Sequence, residues 1–156
     1  MIQGEVAALL QSPCSLIVGT VDASGLPAAA RGMGLELVDG GAKLRLYLSD
    51  AATTAIDNLR TTRAIALTGT EVSTLVSIQV KGRATSVDAG TEADARFANA
   101  YLDAFFRAVH DTDGTDIALL ERMRPHGHVA VVFDVDEIYD QTPGPNAGRA
   151  ISATDA

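Results

Sequence analysis

Apolar residues recur along the 156-residue chain at two periods, and the switches between them mark out its elements. Residues 1–11, MIQGEVAALLQ, read as a short amphipathic helix. Residues 14–21, CSLIVGTV, are almost wholly apolar, which predicts a strand buried on both faces. DASGLP then has the chemistry of a tight connection, with Gly25 for a positive φ and Pro27 for a fixed one. The return strand, 28–38, divides into Ala29, Arg31, Met33, Leu35 and Leu37 on one face and Ala28, Ala30, Gly32, Gly34 and Glu36 on the other. DGG at 39–41 signals a hairpin into 43–49, where Lys43, Arg45 and Tyr47 alternate with Leu44, Leu46 and Leu48. At 50–60 the period lengthens: Ala52, Ala55, Ile56 and Leu59 share a helical stripe, with Ser49 or Asp50 placed to cap it.

A short apolar strand at 63–69 precedes LVSIQVKGRATSV, residues 75–87, which alternates again. Val76, Ile78, Val80, Gly82 and Ala84 form one face, and Ser77, Gln79, Lys81 and Arg83 the other. The longest helical stripe runs over 91–109, with Ala98, Tyr101, Leu102, Phe105 and Val109 in phase, and a short helix follows at about 117–124. Residues 128–140 read as the last strand, and the tail 141–156 is too rich in Gly and Pro to extend the sheet. About six mostly antiparallel strands with helices inserted between them predict a mainly β, α+β domain spanning 1–156, built as a small closed or half-open barrel. No G-x-G-x-x-G follows a strand and opens a helix, so a Rossmann dinucleotide site is not supported.

Charge narrows the chemistry. Twelve Lys and Arg against twenty Asp and Glu give a net charge of −8, which argues against a general nucleic-acid role. Lys81 and Arg83 are therefore a local exception: their strand face is either simply wet or holds something anionic. One cysteine, Cys14, allows no disulfide within the chain and reads as a small buried residue. The first residues lack a basic segment and carry Glu5 inside their apolar run, so neither a signal peptide nor a membrane span is expected, and a cytoplasmic location is. The three histidines have no companions at metal-ligand spacing, and no metal is expected. Thr53 and Thr54 read as residues of a helix N-terminus, and the small neighbours of Arg31 suggest close packing around its guanidinium, as in a structural ion pair.

The order of these motifs resembles a known family. ARGMG on the second strand, YLSDAATTAIDNLR at a strand-to-helix step, SIQVKGRATSV on a long strand and a closing YDQTPGPNAGR are similar to the pyridoxamine 5′-phosphate oxidase-like flavin-binding split barrels, from about residue 12 to 149. That resemblance implies a six-stranded antiparallel split barrel, a homodimer, FMN at the subunit interface, and a flavin-dependent oxidoreductase acting on a small molecule. Carried onto this chain, it implies that Arg31, Ser49, Thr53, Thr54 and Lys81 serve the FMN phosphate and Gln79 a flavin edge or ribityl hydroxyl. Two departures stand out. Threonines occupy 53 and 54 where the oxidases carry a Ser-x-Lys-like pair, and the end reads GRAISATDA in place of an Arg-Leu-x-Pro-like tail, so oxidation of vitamin B6 compounds is not implied. A haem- or flavin-binding protein without turnover, a deazaflavin in place of FMN, and a dimeric interaction module are the alternative readings.

Overall fold

A computed structural model describes residues 1–151. The elements are α1 (Gly4–Gln11), β1 (Ser15–Val21), β2 (Pro27–Val38), β3 (Lys43–Ser49), α2 (Thr53–Thr61), β4 (Ala64–Thr70), β5 (Ser77–Ala89), α3 (Glu92–Asp113), α4 (Ile117–Leu120), β6 (His128–Asp140) and β7 (Arg149–Ala150). Hydrogen bonding runs in the order β3-β2-β1-β4-β5-β6-β7, every pair antiparallel. An additional β3–β6 ladder closes six of these strands into a barrel. The split-barrel expectation is therefore met.

Period two dictates what fills the barrel. Leu16, Val18, Leu44, Leu46, Leu48, Leu67, Val80, Val131 and Phe133 point inward and are all but fully buried. Each such side chain contributes on the order of 2 kcal/mol by leaving water. The open ends are plugged by helices. Leu10 of α1 packs near Gly69 and Cys14 at one end, and α2 buries Ile56 and Leu59 at the other, where Asn58 Nδ2 donates to Thr20 Oγ1 at 3.1 Å. α3 starts in a capping box, Thr91 with Asp94, and lies along β2, with Ala98 against Gly34. Tyr101 ties α3 to the start of β1: its hydroxyl donates to Cys14 O at 2.9 Å and accepts from Cys14 N at 3.1 Å. Burial pushes the Cys14 thiol up, consistent with a packed and unreactive sulfur.

Five expectations need correction. At the start of the 75–87 stretch Val76 is 38% exposed and Ser77 is buried, because the chain turns at Leu75, at φ +63°, and joins the sheet only at Ser77. β1 is not buried on both faces: Ile17 is 44% exposed, because a barrel wall has one core side and the outer side of β1 is uncovered. The faces of β2 do not persist along its length. A bulge between Gly32 and Gly34 shifts the register, so Ala29 and Arg31 are exposed while Met33 and Leu35 are buried. Neither Ser49 nor Asp50 caps α2; the N-cap is Ala52, with no side-chain cap, and Ser49 Oγ accepts from Ala51 N at 3.2 Å. The tail does extend the sheet. Gly148, at φ +88°, brings the chain back so that Arg149 and Ala150 pair with Asp140 and Tyr139. Residues 152–156 of that tail lie outside the described residues.

Candidate functional site

Cross-strand register decides which polar residues share a surface, because directly opposed residues project to the same face. Arg31 of β2 opposes Ile17, Ile17 opposes Thr68, Thr68 opposes Gln79, and Gln79 opposes Tyr139. This is one row on the outside of the barrel. Gln79 Nε2 donates to Thr68 Oγ1 at 3.2 Å, and Gln141 Nε2 approaches Gln79 Oε1 at 3.5 Å. The next row reads Ala29, Gly19, Ala66, Lys81 and Glu137. Three consecutive small residues make a flat apolar shelf there, bounded on the β5–β6 side by charged groups.

That shelf is the floor of a groove of about 750 Å³, lined among others by Ala29, Gly19, Ala66, Lys81, Arg83 and Glu137. A local device shapes its far wall. Asp136 is an extra residue on β6 between the Lys81–Glu137 and Gly82–Val135 pairs. A Cβ at Gly82 would sit 1.8 Å from Asp134 O, so only glycine permits this approach. Lys81 Nζ rests 4.5 Å from the Tyr139 ring centroid, and the Tyr139 hydroxyl donates to Glu137. Among the described residues Lys81 makes no ion pair, and neither does Arg31. The structural ion pair considered for Arg31 is thus absent among them.

A second cluster forms at the β2 edge. Arg31 and Ser49 each stand one residue beyond the last β2–β3 pair, Gly32 with Leu48, so they project side by side. The chain then turns directly into α2, whose first helical residues are the exposed Thr53 and Thr54. No side chain caps this nine-residue helix, and the N–H groups of Thr53, Thr54 and Ala55 find no acceptor among the described residues. Such a terminus combines free donors with the positive end of the helix dipole. Ser49, Thr53 and Thr54 thus lie at one strand-to-helix step, with Arg31 on the neighbouring strand where the β2–β3 pairing ends. Within one chain the structure sets Gln79 and Lys81 apart from them, three strands away, roughly 14 Å along the sheet at ordinary strand spacing.

Sequence reasoning missed three residues of this surface. Thr68 and Tyr139, partners of Gln79 and Lys81, are visible only once the register is known. His128 opposes Ser49 across the β3–β6 ladder, and its Nε2 is buried without a hydrogen-bond partner. Burial pushes the His128 imidazole below its ordinary pKa, with the Asp50 carboxylate opposing that shift. Among the described residues no group of three or more His, Cys, Asp and Glu could hold a metal ion, and no described helix is long and apolar enough to cross a membrane.

Fold and surface define the class: an antiparallel split barrel with a shelf-floored groove on its outer side. A family model described as pyridoxamine 5′-phosphate oxidase matches residues 2–142, and the chain belongs to that family. No curated protein matches it in sequence. Among solved structures it is similar to an F420 reductase, at 17% identity and TM-score 0.58, covering 88% of this chain and 98% of that one. It is also similar to HupZ of Group A Streptococcus, at 19% identity and TM-score 0.57, covering 95% of this chain and 100% of that one. A putative pyridoxamine 5′-phosphate oxidase of Lactobacillus delbrueckii gives 14% identity and TM-score 0.55, over 88% and 93% of the two chains. At such identities these likenesses establish the fold.

Proposed function

We propose that the chain is an FMN-binding flavoprotein, an oxidoreductase acting on a small molecule, and that it works as a homodimer with FMN held at the subunit interface. The observation that carries this is the uncapped N-terminus of α2 beside Arg31 and Ser49, a donor set suited to a phosphate dianion. The residues present fit FMN. Arg31, Ser49, Thr53 and Thr54 would hold its phosphate, the shelf of Ala29, Gly19 and Ala66 suits a flat ring, and Gln79 offers an amide that can donate and accept. Lys81 belongs to the same surface at its far edge, where its position favours the ring end. FMN, when bound, supplies hydride and electron transfer. The chain's own part is to anchor, orient and shelter it, which requires no nucleophile or metal from the protein. The exposed Ile17 and the open groove are apolar surface that pairing of two copies would cover.

The test is a titration of the purified protein with FMN and with riboflavin, which lacks the phosphate. Tighter binding of FMN, a flavin absorption spectrum, and loss of that preference in Arg31→Ala are expected. Reduction of the bound flavin by NADH or NADPH separates turnover from binding. A Soret band on adding haem, with no affinity for FMN, would remove the proposal. Sedimentation as a monomer with FMN bound would remove its dimeric part.

A further inference from the structure

The other end of α2 carries a second group of cations, outside the groove and outside the flavin proposal. A polar pocket of about 150 Å³ opens there, lined among others by Leu59, Arg60, Arg63, Thr85 and Ser86. Arg63 holds φ at +63°, the left-handed region that helix C-caps ordinarily fill with Gly or Asn and that strains any other side chain. Its backbone duties do not call for arginine. The Arg63 N–H donates to Asn58 O at 3.4 Å, and its carbonyl accepts from Ala84 N at 2.8 Å, contacts that glycine would make equally well.

Nor do the last carbonyls of the helix need a guanidinium. Asn58 O already accepts from Thr62 N at 2.9 Å and from Thr62 Oγ1 at 3.0 Å. Asp57 O accepts from Thr61 Oγ1 at 2.9 Å. Among the described residues Arg63 has no ion-pair partner, and Arg60 meets only Asp57, at 3.8 Å in an exposed pair. Across the pocket β5 bulges between Ala84 and Ser86, where Thr85 Oγ1 donates to Val132 O at 3.1 Å. Ser86 remains half-buried at the pocket wall, its hydroxyl without a partner among the described residues.

We infer that this pocket binds a phosphate-class anion. Two guanidiniums offer forked donors matched to phosphoryl oxygens, Ser86 adds a hydroxyl, and the space admits a phosphoryl group while excluding a flavin ring. The strained backbone at Arg63 is the independent sign, since it places a guanidinium here that makes no hydrogen bond or ion pair among the described residues. The anion is either free phosphate or the phosphoryl end of a larger molecule such as a nucleoside diphosphate.

Thermal unfolding of the full chain in sodium phosphate, against sodium chloride of equal ionic strength, tests this. Wild type gains several degrees in Tm from tens of millimolar phosphate. Arg63→Gly, which relieves the left-handed strain, unfolds in chloride at or above the wild-type temperature, and combined with Arg31→Ala it gains nothing from phosphate. Arg63→Asn, which also tolerates this φ, serves if the glycine variant does not fold. Arg31→Ala keeps the phosphate gain, which separates this pocket from the α2 N-terminus. Saturation by ADP at lower concentration than by phosphate assigns the larger source, and the reverse assigns free phosphate. No gain in wild type, a gain lost in Arg31→Ala, or an equal gain in Arg31→Ala with and without Arg63→Gly overturns the inference.

Discussion

Two sides of the barrel carry cations on similar elements, and they differ in what surrounds them. Beside α3, Arg45 is fully engaged: Nε donates to Tyr47 Oη at 3.0 Å and a terminal nitrogen to Asp94 at 2.8 Å. Arg124 behaves likewise, bonded to Glu121, Asp103 and Asn99 and lying over the Phe106 ring. On the β2–β1–β4–β5 surface Arg31 and Lys81 have no ion-pair partner among the described residues. The first kind of cation holds the protein together, and the second is available to a ligand. Alternation along a strand cannot tell them apart, since Arg45 and Lys81 occupy equivalent outward positions on their strands.

Cutting the engaged side produces the largest effect. Asp94 is 6% exposed, and it accepts from Thr91 N and Thr91 Oγ1, both at 2.8 Å, as well as from Arg45 and from Tyr47 Oη at 3.1 Å. Asp94→Ala removes the capping box and takes the carboxylate from a terminal nitrogen of Arg45, while Tyr47 Oη keeps Glu36 as its acceptor. Arg45 is partly exposed, so the expected loss is about 2–4 kcal/mol in urea unfolding. The preference for FMN over riboflavin is unchanged.

Acid weakens the same network. Burial raises the Asp94 pKa, but the Thr91 donors and the Arg45 guanidinium outweigh it and hold the carboxyl at about 2. A carboxyl depressed on folding stabilises the native state above its unfolded pKa. That contribution fades as pH falls through the window from about 4 to about 2. Stability measured across this window declines in the wild type, and the part due to this network is missing in Asp94→Ala.

Arg31→Ala addresses the other side. Losing a charge-assisted bond to phosphate costs about 1.5–3 kcal/mol of FMN affinity, roughly tenfold to hundredfold. Riboflavin affinity and unfolding stability stay nearly constant, because no contact within the fold is lost. Calorimetric titration of both ligands measures the contrast. A fall in stability matching that of Asp94→Ala would erase the distinction between the two kinds of cation.

Much of this contrast was hidden in the sequence for identifiable reasons. The strands themselves, the core face of β3 and the Ile78, Val80 and Ala84 face of β5 follow from alternation, which burial enforces residue by residue. The outer sides follow from closure and coverage, which are non-local. Ile17 looked like core because its neighbours Leu16 and Val18 are core. The β2 bulge was unreadable, since either register satisfies a run of Ala, Gly and Met. Ser49 seemed a cap because caps have serines, whereas the chain takes one more turn before α2 begins. The grouping of Arg31 with Ser49 and Thr53, and the distance of both from Lys81, required the ladder registers themselves.

Lys81→Ala sharpens that last point with a smaller effect. A cation resting on the half-buried Tyr139 ring contributes about 0.5–1 kcal/mol, so stability changes little. Its place three strands from the α2 terminus predicts similar losses for FMN and riboflavin, each a few-fold. A loss confined to FMN would assign Lys81 to the phosphate, by way of the second subunit.

Gln79→Leu asks the finest question of the comparison: whether a neutral polar group on the available side is also there for a ligand. Ile78 and Val80 flank Gln79 and are 7% and 0% exposed, so a one-residue slip of β5 would turn both to solvent and Lys81 inward. The register is therefore fixed, and leucine at 79 leaves the core face untouched. The bond to Thr68 Oγ1 and the long 3.5 Å contact from Gln141 Nε2 are lost within the fold, and both groups are accessible enough to turn to water, so unfolding free energy changes by no more than about 0.5 kcal/mol. A flavin bonded to the amide loses a neutral hydrogen bond, about 0.5–1.5 kcal/mol, seen as a twofold to tenfold weaker affinity for FMN and riboflavin alike. The reduction potential of the bound flavin shifts with it, because a bond at a ring edge acts unequally on the oxidised and reduced forms. Unchanged affinity and potential would leave Gln79 as the partner of Thr68 and Gln141 and return its row of the barrel to ordinary wet surface.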